Sequence, residues 1–166
     1  MGKKLVGSQR GNLKVVLYTP VMTDPWIPRE TTTHQDHVIA HVLGATVRGY
    51  FAFDEALHLL LDIGFVWTIL LDGEMALLPH PVAIGEMELE ERFREEIRAD
   101  IDLLLSDNQA DKELLRMHAP SKECGISEVN FFEQGERRRL LLTCEEASLA
   151  IETSLTTAEI QVYDVE

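Results

Sequence analysis

A single amphipathic stripe set between two β-rich stretches limits what this chain can fold into. From Glu86 to Leu105 the apolar residues Leu89, Phe93, Ile97, Ile101 and Leu104 recur at intervals of four, four, four and three, which places them on one side of a helix. The other side is charged, and Glu88 with Arg92, Glu90 with Arg94, and Arg98 with Asp102 stand at i,i+4 spacing. A second short helix is expected from Asp111 to His118, ending before Pro120.

The flanking stretches read as strands. Upstream, Asn12–Thr19 is β-favouring and ends at Pro20. Phe65–Leu71 and Glu74–Leu78 flank Asp72-Gly73, a two-residue turn that favours positive φ and marks a hairpin. Downstream, Val129–Phe132, Leu140–Thr143, Leu149–Ile151 and Ile160–Val165 are separated by turn residues such as Gln134-Gly135-Glu136. Strands, then helices, then strands point to one α+β domain over residues 1–166, an antiparallel sheet packed by one long acidic helix and one or two short ones.

One segment, residues 33–53, is less plainly written than its neighbours. Thr33-x-x-Asp36 resembles a capping box before Val38, Ile39, Val42 and Leu43, yet the β-branched and aromatic content up to Phe53 favours a strand from about Val38 to Phe53, bent at Gly44. The leucine-rich run Glu55–Asp62, with Asp54 as cap and Gly64 as stop, reads as a short buried helix. Trp26 and Ile27, between Pro25 and Pro28, read as a loop folded over a core edge.

Charge narrows the function. Fifteen Lys and Arg stand against 29 Asp and Glu, a formal net charge of −14. Residues 1–48 carry +3 and residues 49–166 carry −17, and no Lys or Arg lies between Arg48 and Arg92. Phosphate contacts are made chiefly by Lys and Arg, so nucleic acid and anionic membrane surfaces are poor partners. Arg137-Arg138-Arg139, the one compact basic run, is too short for a phosphate track and reads as a salt-bridged sheet edge. The longest uncharged apolar run, Ile63–Leu71, is nine residues, under half of what a membrane-crossing helix needs.

The start of the sequence lacks a signal-peptide pattern, and Cys124 and Cys144 have neither zinc-knuckle spacing nor the density of a secreted scaffold. They read as inert thiols in a reduced, cytoplasmic setting. No phosphate-binding glycine loop, dinucleotide fingerprint or nucleophile elbow is present.

These features favour a small soluble binding or regulatory protein without evident catalysis and without a cofactor. Its acidic surface, from Asp54 to Asp111, would meet a basic protein partner. The central residues of that surface are Glu86, Glu88, Glu90, Glu91, Glu95, Glu96 and Asp100, within a stretch 86–111 that holds ten acidic and three basic groups. Self-association is an alternative, the +3 segment of one copy meeting the −17 remainder of another to form a homo-oligomer.

A competing reading rests on His34, Asp36, His37 and His41, which could hold a divalent transition metal in a metal-binding protein or metal-dependent hydrolase. His37-x-x-x-His41 has Val38 where a zincin carries its general base, and Val47 where the extended motif needs a third histidine. A peptidase of that type is thereby excluded. The bland reading of the same histidines is local hydrogen bonding.

Overall fold

The computed structural model describes residues 3–5, 16–18, 25–70, 77, 81–106, 113–157 and 159–165. The fold is α+β with antiparallel sheets, one long helix and a shorter one. In chain order the elements are β1 (Lys3–Leu5), β2 (Val16–Tyr18), β3 (Ile27–Arg29), α1 (Thr33–Val42), β4 (Thr46–Phe53), β5 (Ala56–Leu61), β6 (Val66–Leu70), α2 (Glu91–Leu105), β7 (Cys124–Gly125), β8 (Glu128–Gln134), β9 (Arg137–Thr143), β10 (Ser148–Ser154) and β11 (Ile160–Val165). A 3-10 turn, Ile84–Glu86, precedes α2. The strands form a pair β1-β2, a five-stranded sheet ordered β11-β10-β9-β8-β3 and a four-stranded sheet ordered β6-β5-β4-β7.

Two buried layers follow from strand alternation. Val47, Leu57, Leu59, Leu61, Trp67 and Ile69 of the four-stranded sheet share one cluster with Val129, Phe131, Leu140, Leu142, Leu149 and Ile151 of the five-stranded sheet, and Val38, Ile39 and Val42 of α1 join it. The opposite face of the four-stranded sheet, with Phe51, Leu60 and Val66, packs on Ile97 and Ile101 of α2 and on Met117, with Phe93 and Leu104 beside them. The apolar stripe therefore faces inward as its spacing predicts.

The strands after Ser127 and the helical stripe agree with the sequence reading; α2 begins at Glu91, after the 3-10 turn. Of the expected hairpin Phe65–Leu71 and Glu74–Leu78, β6 and the isolated antiparallel bridge Ile69–Leu77 are described, while Asp72-Gly73 and the rest of the second strand lie outside the described residues. Of the expected strand Asn12–Thr19, only Val16–Tyr18 is described.

Four expectations about helices and strands are corrected, and a fifth concerns the cysteines. Residues 33–42 are helical because the capping box closes one position earlier: the Thr32 hydroxyl accepts from the Gln35 N–H at 3.1 Å and the Gln35 side chain accepts from the Thr32 N–H at 2.9 Å. The helix then ends before Gly44, whose φ of 88° lets the chain turn into β4. The expected helix Glu55–Asp62 is the strand β5, joined to β4 by Asp54 and Glu55, both at positive φ. Every residue of β5 is buried, since one face meets the other sheet and the other meets α2; a continuous apolar run carries no period to separate strand from helix. Residues 113–118 are not helical, because Asp100 and Tyr50 take their backbone groups. Finally, Arg137–Arg139 lie on β9, an interior strand between β8 and β10.

Cys124 and Cys144 are joined in a disulfide, with Cα atoms 5.2 Å apart, instead of standing as separate thiols. Cys124 lies on β7 and Cys144 follows β9, so the bond links the two sheets. Sequence distance hid this pairing, because it depends on how the sheets stack.

Candidate functional site

The approach to α2 and its first two turns form an acidic ridge. Leu89 and Ile97 turn inward, which leaves Glu86, Glu88, Glu90, Glu91 and Glu95 exposed. Glu90 occupies the N-cap position, and carboxylates at this end are favoured by the positive pole of the helix. Of the nearby cations Arg92 and Arg94 are engaged, whereas Arg98 is exposed. Arg92 pairs with Glu96 at 3.3 Å, while Arg94 donates to the carbonyls of Met87 at 2.8 Å and Leu89 at 3.3 Å and lies 3.7 Å from Glu91. Glu86 is partly used, its side chain accepting from the Ala83 N–H.

Two of the seven acidic residues named by the sequence play other parts. Glu96 is held between Arg116, at 2.6 Å, and Arg92; the hydrogen bond from Arg116 is the main cause of a carboxyl pKa below its ordinary value. Asp100 is 0% exposed and leaves the ridge altogether. Its Oδ1 accepts from the Leu115 N–H at 2.8 Å, and its Oδ2 accepts from the Arg116 and Met117 N–H groups at 2.7 and 2.8 Å. This carboxylate clasps the 115–117 segment to α2. The adjoining Arg116 guanidinium lies 5.2 Å from the Phe93 ring centroid.

On α1, His34, Asp36, His37 and His41 are all exposed. Asp36 accepts a hydrogen bond from the Thr31 hydroxyl. Among the described residues no group of three or more His, Cys, Asp and Glu is placed to hold a metal ion. The helix brings the named histidines onto one element without bringing a further ligand to meet them.

There are two buried polar sites, of which the sequence singles out only the salt-bridged run Arg137–Arg139 and the folded-back Trp26. On β5, His58 Nδ1 lies 2.8 Å from the Thr68 hydroxyl, its ring stacks on Phe51 at 4.8 Å, and burial pushes its pKa down to about 4. On the outer face of the five-stranded sheet, Glu152, only 3% exposed, accepts from Arg139 Nε at 3.1 Å and Nη2 at 2.8 Å, with Arg137 at 3.4 Å. Arg139 also donates to the Tyr163 hydroxyl at 2.8 Å, and Trp26 lies over both guanidiniums, at 4.1 Å from Arg139 and 5.1 Å from Arg137. Burial first, then the negative charge of Glu152, raises the Tyr163 pKa above its ordinary value.

Chemically, that network is an anchor in which two guanidiniums share one buried carboxylate. Its two arginines, its carboxylate and the indole satisfy one another, which explains why Trp26 folds back over the sheet. The register pairs Glu152 with both Arg139 and Gln161 across the sheet, information absent from the local sequence. By contrast, the acidic ridge presents several like charges with few described partners. No protein family model matches the chain, and no curated protein or solved structure matches it.

Proposed function

We propose that this chain is a binding or regulatory protein whose acidic ridge engages a basic protein partner. The observation that carries this reading is the exposure of Glu86, Glu88, Glu90, Glu91 and Glu95 within ten residues, beside Arg92 and Arg94, which are committed to other groups. Like charges held this close repel one another, and a cationic surface relieves that repulsion on docking. Complementarity of this kind accelerates encounter and discriminates against acidic competitors. The apolar stripe beneath α2 fixes the ridge to the four-stranded sheet, so the charge pattern is presented on a supported surface.

The test is charge reversal with a matched control. Glu88→Lys/Glu90→Lys/Glu95→Lys should abolish capture, at low ionic strength, of the basic protein retained by the wild-type chain. Glu136→Lys/Glu145→Lys/Glu146→Lys, at three exposed acidic positions outside the ridge, should retain it. Equal loss in both variants would reduce the effect to net charge, and retention by the ridge variant would remove the ridge from recognition.

A further inference from the structure

The structure assigns a second interaction surface, built from different elements: the gap on β8 beside α1, where we propose that an extended basic peptide segment adds to the sheet. β8 runs over Glu128–Gln134, and β9 pairs with its full length on one side. On the other side β3 covers only Phe131, Phe132 and Glu133. Further back, Ile126 is occupied by the exit of α1, accepting from the Gly44 N–H at 2.8 Å and donating to the Ala45 carbonyl at 2.9 Å. Among the described residues no backbone partner meets Glu128, Val129 and Asn130 on that side. Alternate residues of an antiparallel strand turn their N–H and C=O to opposite sides, so Val129 is the residue that faces this opening between two paired stretches, while Glu128 and Asn130 face β9.

This opening lines a shallow, open groove of about 540 Å³ between α1 and the sheet. Leu43, 46% exposed, supplies the apolar surface, with the buried Ile39 and Val129 behind it. The rim carries Glu30, Asp36 and Glu128 against one cation, Arg29, which lies 3.8 Å from Glu133. An unpaired strand edge offers main-chain hydrogen bonds to an extended segment, and alternate side chains then choose the sequence. At roughly 3.4 Å per residue, three residues of an antiparallel strand fill the gap. The apolar wall and acidic rim select alternating aliphatic and Lys or Arg residues.

The probe is the peptide Ac-Val-Lys-Val-Lys-Val-NH2, titrated into the isotopically labelled full chain while backbone amide resonances are followed. Saturable shifts should centre on Glu128–Asn130 and Ile39–Leu43. Glu30→Lys/Glu128→Lys should weaken binding at least tenfold, whereas Glu88→Lys/Glu90→Lys/Glu95→Lys should leave these shifts in place. Shifts confined to α2 would overturn the groove while leaving the acidic-ridge reading intact. Equal binding of Ac-Val-Glu-Val-Glu-Val-NH2, or no effect of Glu30→Lys/Glu128→Lys, would also overturn it. So would dilution-dependent shifts of the same amides without peptide, which would assign the gap to a second copy of the chain.

Discussion

Toward the five-stranded sheet, the four-stranded sheet presents Val47, Leu57, Leu59, Leu61, Trp67 and Ile69; toward α2 it presents Phe51, Leu60 and Val66 around the polar pair His58 and Thr68. The helix adds a second buried polar group, Asp100. The first layer is held chiefly by apolar area, which is non-directional and insensitive to pH. The second uses contacts of fixed geometry that locate the helix and the 115–117 segment. Presentation of the acidic ridge therefore depends on a few polar groups that a purely apolar contact would not need.

The strongest challenge to this contrast is Asp100→Ala, which strands three backbone N–H groups. It should cost about 4 kcal/mol in urea unfolding and speed amide exchange at Leu115–Met117. A loss below about 1 kcal/mol would make the clasp incidental. On the apolar side, reducing the Cys124–Cys144 bond should cost about 3 kcal/mol, since it closes a loop of twenty residues between the sheets. Thiol titration under denaturing conditions, before and after reduction, checks that the bond is present. Leu59→Ala should cost about 3 kcal/mol through the cavity it leaves, with the pH dependence of stability unchanged.

The pH response sharpens the comparison further. Burial holds His58 neutral in the fold, its pKa pushed down from an ordinary 6.5 to about 4. Its contribution is therefore complete above pH 6.5 and is lost as pH falls through 4, because the unfolded chain takes up the proton first. Stability should decline by about 3 kcal/mol across that window, and His58→Gln should flatten this part of the profile. The smallest expected effect belongs to the ridge: Glu88→Lys/Glu90→Lys/Glu95→Lys should change unfolding stability by no more than about 1 kcal/mol, since exposed charges contribute little. A loss of several kcal/mol would recast those carboxylates as architecture.

How far the sequence could be read follows the same division. The helical stripe was legible because Phe93, Ile97 and Ile101 face one surface and charged residues face water, so a period survives. The strands after Ser127 were legible from their turns. β5 was not, because burial on both faces erases the period, and α1 was obscured by β-branched residues until the Thr32–Gln35 cap decided it. Asp100 looked like one more surface acid among 29, yet its position three residues after Ile97 places it on the inner side of the helix. The gap on β8 was beyond local reading altogether, since it arises from the unequal lengths of β3 and β8.

Calorimetric titration of the captured basic partner into the wild-type chain at increasing salt tests the central claim most directly. Affinity should fall steeply and continuously from low to physiological ionic strength, as expected when exposed carboxylates drive the encounter. Affinity unchanged by salt would contradict the proposal that the acidic ridge is the recognition surface.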